Sequence, residues 1–344
     1  MHKKTITIKP IDNIILFGGG ILIVEFAKEA LNKGIHPYVF SAPRHLKEFI
    51  NERQLSLEKL LRKERITFYQ VDDINKSRIL RSIVTERTIG IGLGEIYTFN
   101  NEVISLFKNG LFDFMVINLP EYRGGAHFTW QILRGDKRGC WNIQIINDKM
   151  IPAIFDSGEI VKKRHYIIPQ AALLPRDYFD AANKEGLELF EEFLSEIKTN
   201  GEFKLCKLKE KNSSYFPRLY TRKNGFINWA WNTDQIKCFI CSFDDPYTGA
   251  STFLDGKRVF IKKCHSESSD ITFHPFQSGI IYRKQNNSCY IASYPNSLVV
   301  KEIFDDRGRS IRDRIPIGRR LYTPQEYIEE AMLYNAEYDS YGLK

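Results

Sequence analysis

Cys238 and Cys241 form a C-x-x-C pair, the spacing used for thiol–disulfide chemistry or for half of a zinc site. Apolar residues recur around the pair at helical spacing, and no second C-x-x-C follows at zinc spacing. We therefore interpret both cysteines as small residues on a helix. The seven histidines are scattered, so the sequence predicts no metal site. Six cysteines in 344 residues favour a reducing compartment, because disulfide-dense scaffolds are much shorter.

Gly18–Gly20 follows the apolar run of residues 13–17, where a glycine-rich loop could cradle a phosphate. Gly20 is followed by Ile-Leu-Ile, so the G-x-G-x-x-G pattern of dinucleotide-binding loops is absent. The glycines are interpreted as a tight turn or a close packing contact.

Two later segments concentrate polar residues of the types used in group transfer. The first reads Val116-Ile-Asn-Leu-Pro-Glu-Tyr-Arg-Gly-Gly-Ala-His-Phe-Thr-Trp-Gln-Ile-Leu-Arg-Gly-Asp136 and contributes Asn118, Arg123 and His127. The second ends Phe155-Asp-Ser-Gly-Glu-Ile-Val161 and contributes Asp156 and Gly158.

The elements that must position these residues alternate between strand and helix. Continuous apolar runs predict strands at 13–17, 36–41, 66–71, 88–93 and 114–118. Amphipathic stretches predict helices at 21–33, 44–65, 74–84 and 101–107. This alternation predicts an α/β fold with a doubly wound, mostly parallel sheet. Asn118 would then end the fifth strand, at the carboxyl edge where such sheets bind ligands.

Beyond Asn118 we expect a helix near 127–133, a strand at 141–147 and a helix at 177–199. Short strands with turn signals between them then predict a small β-barrel or open β domain; they lie at 258–262, 278–282, 288–292 and 297–302. The sequence predicts a catalytic domain at 1–199, a basic linker at 200–223, a C-terminal β domain at 224–335 and a tail at 336–344.

A third segment completes a family resemblance. It runs from Asn224-Gly-Phe-Ile-Asn-Trp229 through Phe243-Asp-Asp-Pro-Tyr-Thr-Gly-Ala250 to Leu254-Asp-Gly-Lys-Arg258. In order along the chain, the three segments resemble the 10-formyltetrahydrofolate-dependent formyltransferases, which include methionyl-tRNA formyltransferase and the sugar N-formyltransferases. The resemblance covers about residues 12–330.

The resemblance implies 10-formyltetrahydrofolate as formyl donor and an amine as acceptor. Formyl transfer passes through a tetrahedral oxyanion, so the site needs a donor for that oxygen and a base for the amine proton. The implied catalytic residues are Asn118, as oxyanion donor, and Asp156, as acid, base or orienting group. The implied cofactor-binding residues are Gly94, Arg123 and Gly158.

Each assignment has a structural alternative. Asn118 and Asp156 could cap a strand end and a turn, Gly94 could simply end a strand, and Arg123 could be a solvated loop residue.

The motif histidine of the family is missing. The family places it two residues after the Asn, and that position is Pro120 here. An alignment without a gap instead puts Asp113 at the Asn position and Met115 at the His position. His127 is the nearest histidine, so it is a candidate base, with a helix-terminal histidine as the alternative.

Charge is concentrated in one part of the chain. The formal net charge is +8, and residues 198–223 alone hold eight basic and two acidic residues. An anionic acceptor, either a nucleotide-linked amino sugar or tRNA, could use this excess, and a solvated linker is the alternative.

The favoured function is formyl transfer to a nucleotide-linked amino sugar. The alternatives are methionyl-tRNA formylation, a catalytically impaired folate or nucleotide binder, and a nucleic-acid-binding protein without formyl chemistry. With no long apolar run in the sequence, we expect a cytoplasmic protein without membrane partners. Oligomer formation is left open.

Overall fold

The computed structural model describes residues 4–50, 55–94, 97–147, 156–199, 201–268 and 271–337, together with 339, 341 and 343. The elements up to residue 199 are, in chain order: β1 Thr5–Thr7, β2 Asn13–Gly18, α1 Gly20–Asn32, β3 His36–Ser41, α2 Pro43–Lys47, α3 Leu57–Lys63, β4 Thr67–Gln70, α4 Arg78–Ile83, β5 Thr88–Leu93, α5 Asn101–Leu106, β6 Leu111–Met115, β7 Arg123–Gly124, α6 His127–Arg134, β8 Arg138–Ile146, β9 Ile160–Ile167 and α7 Pro175–Thr199.

Seven of these strands form one sheet in the order β4-β3-β2-β5-β6-β8-β9. The first five are parallel to their neighbours, and β8 and β9 are antiparallel, so the predicted doubly wound, mostly parallel sheet is confirmed. Strands β2 and β5 lie centrally and are buried along almost their whole length, as their continuous apolar sequences require.

Aromatic side chains fill the layer between the sheet and two long helices. Phe26 of α1 stacks on Phe190 of α7 with ring centroids 3.9 Å apart, and Phe114 of β6 meets Phe26 edge-on at 5.0 Å. The opposite face holds a separate apolar cluster that includes Phe17 and Phe107. The face of β6 that carries Phe114 is therefore core, and the residues that alternate with it face the other side.

Three sequence predictions need correction. The predicted fifth strand, 114–118, is displaced: β6 ends at Met115, because Ile117 packs with Leu119 and Ile160 in a small cluster of its own. The predicted helix 44–65 is divided into α2 and α3, since Ser56 caps a new helix by accepting from the Lys59 amide.

The predicted helix 74–84 begins as α4 only at Arg78, after a single 3₁₀ turn and the capping residue Ser77. Strand β9 was not predicted, because charged residues alternate along it.

The elements from residue 201 onward are β10 Glu202–Lys204, β11 Tyr215–Phe216, α8 Thr221–Asn224, α9 Thr233–Ser242, β12 Ala250–Leu254, β13 Lys257–Glu267, β14 Ile281–Gln285, β15 Ser288–Ala292, β16 Ser297–Asp305, β17 Leu321–Tyr322 and α10 Gln325–Leu333. The C-x-x-C cysteines lie on α9, as their helical spacing predicts. Among the helices of the described ranges, none is both long and apolar enough to cross a membrane.

Six of these strands form an antiparallel sheet in the order β14-β15-β16-β13-β12-β17. A bridge between Ile280 and Arg320 joins the two ends of the sheet, so it curls on itself. The predicted barrel-like C-terminal β domain is confirmed.

The segment predicted as a linker also contains strands. β10 pairs with β1 and β11 pairs with β7, so this segment lies against the N-terminal half.

Candidate functional site

Strand β8 presents two buried amide side chains to the face of the sheet opposite α1 and α7. Asn142 lies across from Met115 of β6, and Gln144 lies across from Asp113. Directly opposed residues share a face, so all four side chains project to the same side. Asn142 and Gln144 have no exposed surface.

The Asn142 amide donates to the backbone carbonyl of Ile117. Strand β6 has ended two residues earlier, so Ile117 belongs to the loop that carries Asn118. Lys163 of β9, which lies across from Asn142, donates to the Leu119 carbonyl at 3.0 Å. Side chains of two neighbouring strands therefore hold the carbonyls on both sides of Asn118.

The Gln144 amide holds a second loop in the same way. Its Nε2 donates to the carbonyl of Asp156 at 2.7 Å and to that of Gly158 at 2.9 Å. Its Oε1 is buried and accepts no hydrogen bond among the described residues. Residues 148–155, which precede this loop and include Phe155 of the predicted motif, lie outside the described residues.

Asn118 is half-buried, and its own carbonyl accepts from the Tyr122 amide at 3.0 Å. Its Oδ1 is buried and accepts no hydrogen bond within the described ranges. A buried acceptor without a hydrogen-bond donor lowers the stability of the folded protein unless a ligand or water supplies the donor. Contrary to the sequence prediction, Asn118 lies three residues past its strand.

Asp156 and Gly158 form a tight turn against β8. Asp156 adopts a left-handed backbone conformation with φ +53°, which Asp tolerates better than most residues. A Cβ on Gly158 would lie 2.2 Å from the Ile145 carbonyl oxygen, so only glycine fits there. The Asp-x-Gly spacing therefore places Asp156 beside Gln144.

Arg123 has protein partners. Its guanidinium is 2% exposed and makes a two-pronged ion pair with Glu210, at 2.7 and 2.9 Å. It also donates to the Asp156 carbonyl at 3.4 Å. Hydrogen bonding from Arg123 holds the pKa of the Glu210 carboxyl below its ordinary value. Arg123 thus joins the linker to the Asp156 turn, and its predicted role in cofactor binding remains a prediction.

His127 begins α6, with its ring beside those of Tyr122 and Phe128, at centroid distances of 6.2 and 5.7 Å. Burial lowers the pKa of His127 to about 3; nearby Arg134 also lowers it and Asp136 opposes the shift. The imidazole is therefore neutral near pH 7. Its role as a base remains a prediction.

Gly94 ends the central strand β5 with φ +81° and open space around the position of a Cβ. It lines a cavity of about 480 Å³ between the N-terminal sheet and the C-terminal domain. Arg44 and Arg218 line the same cavity, together with His45 and Glu48, whose side chains are 3.1 Å apart. The cavity also reaches Gly19 and Gly20 at the start of α1. Apolar walls complete it: Leu93, Phe179, Leu219, Phe243 and Tyr247.

Comparison with known proteins identifies the fold. The N-formyltransferase from Helicobacter canadensis, solved with folinic acid and dTDP-3-aminofucose, superposes with a TM-score of 0.57 at 16% identity, over 84% of this chain and 98% of that one. The sugar 3N-formyltransferase WlaRD, solved with dTDP and 5-N-formyltetrahydrofolate, gives a TM-score of 0.56 at 18% identity, over 86% and 97%. The fold is that of the N-formyltransferases.

Sequence comparison supports the predicted resemblance. Residues 220–312 match the family model of the formyl transferase C-terminal domain. Methionyl-tRNA formyltransferase of Desulfotalea psychrophila is 26% identical over 187 residues, 54% of each chain. The enzyme of Caldanaerobacter subterraneus is 28% identical over 162 residues, 47% of this chain and 50% of that one. The chain spans about half the length of these curated relatives. These matches bear out the predicted resemblance to the formyltransferases, and residues 220–312 match the C-terminal domain of that family.

Sequence reasoning missed Asn142 and Gln144, and it named Asp113 only as the residue at the Asn position in an alignment without a gap. A usable signal was present, because Asn142 and Gln144 are two polar residues at strand period in the otherwise apolar run Trp141–Ile146. Of the predicted residues, the structure brings Asn118 and Asp156 to one strand through their loop backbones. Gly94 lines the cavity described above, and Asn118 and Asp156 are not among the residues that line it.

Proposed function

We propose that this protein transfers a formyl group from 10-formyltetrahydrofolate to the amine of a nucleotide-linked sugar. The observation that carries the proposal is the attachment of the Asn118 and Asp156 loops to one buried strand, through Asn142 and Gln144. An amide and a carboxylate held in this way are the groups that a transfer reaction at a carbonyl carbon requires.

The described residues fit a reduced pterin. Asn118 Oδ1 and Gln144 Oε1 are buried acceptors without donors among the described residues. A pterin carries several N–H donors along one edge, so it could satisfy acceptors of this kind. The open, left-handed backbone of Gly94 lets a planar ring approach β5 closely. When bound, 10-formyltetrahydrofolate supplies the formyl group.

Within this proposal the chain's own residues have defined tasks. The Asn118 amide donates to the carbonyl oxygen as negative charge develops on it. Asp156 accepts a hydrogen bond from the incoming amine and orients it. Arg123 and Gln144 hold the Asp156 carbonyl and thereby limit the movement of that carboxylate.

The acceptor is proposed from the cavity. Its volume of about 480 Å³ suits a small molecule, and the guanidinium groups of Arg44 and Arg218 line it near the amino end of α1, while Glu48 lies against His45. Phosphates would be attracted to this lining, and the aromatic walls would cover a base. The solved N-formyltransferases named above, which were studied with dTDP or a dTDP-amino sugar, support this choice by analogy.

The second candidate acceptor is methionyl-tRNA. It is favoured by the curated relatives, which are methionyl-tRNA formyltransferases. Many of the basic residues of 198–223 lie on the exposed surface, where they could contact a phosphate backbone.

An acceptor panel separates these functions. The protein is incubated with 10-formyltetrahydrofolate and, separately, with several dTDP-amino sugars or initiator Met-tRNA, and tetrahydrofolate release is followed. Turnover with a dTDP-amino sugar alone supports the proposal. Turnover with tRNA alone overturns the sugar assignment. Donor binding without turnover on any acceptor indicates the catalytically impaired binder.

A further inference from the structure

Asp113 is the only acidic residue in the seven strands of the large sheet. It stands in the middle of β6, in the run Leu111–Met115, where its neighbours along the strand are apolar. Holding a carboxylate in a strand interior costs solvation energy that its partners must offset. Partly buried carboxylates are concentrated at sites of chemistry.

The position of Asp113 connects it to the site. It faces the same side of the sheet as Gln144, its direct partner on β8, and Gln144 in turn donates to the Asp156 carbonyl. On the other side it pairs with Gly92 of β5, two residues before Gly94. A Cβ on Gly92 would lie 3.1 Å from Asp113 Oδ1, so the glycine leaves room for the carboxylate.

The reaction needs a proton acceptor, and the described site offers few. An amide such as Asn118 is not basic. The ring of His127 lies among Tyr122, Phe128 and Arg134, and burial leaves it a weak base. Lys163 acts as a hydrogen-bond donor to the Leu119 carbonyl. Of the nearby carboxylates, Glu121 lies on the Asn118 loop itself. Asp113 and Asp156 are the two that Gln144 connects, Asp113 as its partner across the sheet and Asp156 through its backbone carbonyl, and Asp156 is placed to orient the amine.

We propose that Asp113 is the base of the formyl transfer, which rests on the proposed function. As the bond between the acceptor nitrogen and the formyl carbon forms, Asp113 takes one proton from that nitrogen. As the bond between the formyl carbon and the folate nitrogen breaks, Asp113 returns the proton to the departing nitrogen. The carboxylate is regenerated, so each turnover consumes one amine and one formyl donor.

The test compares Asp113→Asn with wild type under saturating donor and acceptor. Loss of the base is expected to lower kcat about 10²–10⁴-fold while both KM values change little. Asp180→Asn, a matched change on the exposed surface of α7, is expected to retain wild-type kcat. A kcat for Asp113→Asn within about three-fold of wild type overturns the proposal.

Chemical rescue distinguishes a base from a structural carboxylate. Asp113→Ala leaves space for a small acid, so added acetate is expected to restore part of kcat, with no such gain for wild type. Absence of rescue overturns the role of Asp113 even if Asp113→Asn is inactive through misfolding. If wild type itself turns over no acceptor, the proposed function fails and this inference fails with it. If wild type is active and Asp113→Asn is equally active, the inference fails and the proposed function stands.

Discussion

Asn142 and Gln144 lie two residues apart on β8, and each uses a fully buried amide to hold the backbone of a different loop. One donates to the carbonyl before Asn118, and the other to the carbonyl of Asp156. Because residues two apart on a strand share a face, the strand fixes the separation of the two loops. The geometry of the proposed site therefore depends on β8 rather than on the loops themselves.

Gln144→Met is expected to reduce both stability and catalysis. Two backbone carbonyls lose their donor, which should lower the free energy of unfolding by about 1–3 kcal/mol. Displacement of Asp156 should lower kcat by roughly 10²-fold, measured with the preferred acceptor.

Gln131→Met is the matched control for that change. Gln131 is also buried, and its Nε2 donates to the Arg138 carbonyl at 2.9 Å from helix α6. We expect a similar loss of stability in chemical denaturation and an unchanged kcat. Equal effects of the two substitutions on kcat would contradict the positioning role of Gln144.

Gly94→Ala tests the approach of the donor to β5. Alanine at φ +81° is strained, so a loss of about 1 kcal/mol in unfolding free energy is expected. The added methyl group would also face the bound donor and raise its KM. Gly256→Ala carries the same backbone strain at φ +75° on a distant turn, and it should leave that KM unchanged. A donor KM that Gly94→Ala does not alter would remove Gly94 from the binding site.

Glu210→Gln tests the connection between the linker and the Asp156 turn. The buried Arg123 would lose its counter-charge, which should lower the free energy of unfolding by about 1–3 kcal/mol. Because the pKa of Glu210 is lowered in the folded protein, its contribution is present above the ordinary carboxyl pKa and lost as pH falls through the folded value. The difference between wild type and Glu210→Gln should therefore shrink in acid.

Glu86→Gln, an exposed change in the turn before β5, serves as the control and should show no such pH-dependent difference. Solvent screening reduces the Glu210 effect, since that side chain is 40% exposed. A difference between wild type and Glu210→Gln that is constant with pH would contradict the ion pair as its cause.

The free energy of unfolding should depend on the protonation of His127 between about pH 3 and pH 6.5. Its pKa is lowered from 6.5 to about 3, so the unfolded chain binds the proton first as pH falls. The contribution of His127 is therefore complete above about pH 6.5 and declines toward pH 3. His127→Gln should flatten that decline in denaturation series, and His265→Gln, at an exposed site, should not.

The same His127→Gln variant bears on catalysis. With Asp113 as the base, its kcat is expected to remain within about three-fold of wild type. Loss of kcat in His127→Gln, alongside full activity of Asp113→Asn, would assign the proton to His127.

The sequence predicted those elements whose apolar run does not continue into the segment that follows. Strands β3 and β5 have the predicted bounds, and β2 and α1 differ by about one residue. The end of β6 was misplaced because Val116 and Ile117 continue its apolar run, although Ile117 serves a different cluster. The hydropathy of the local sequence does not show which apolar cluster Ile117 joins.

The contacts that organise the site were not predictable from local pattern. Arg123 pairs with Glu210, which lies 87 positions further along the chain. Gln144 donates to the carbonyl of Asp156, which lies 12 positions further along and in a turn. Such pairings depend on how loops cross the finished sheet. The resemblance located Asn118 and Asp156 in the chain, and the structure added the strand residues that hold them.

The most direct test of the central claim is the product itself. The protein, 10-formyltetrahydrofolate and a dTDP-amino sugar are mixed, and the sugar nucleotide is examined by mass spectrometry. We expect a formamide on the sugar nitrogen, formed in step with tetrahydrofolate and strongly reduced in Asp113→Asn. An unmodified amino sugar for every dTDP sugar tested, while initiator Met-tRNA becomes formylated, would contradict it.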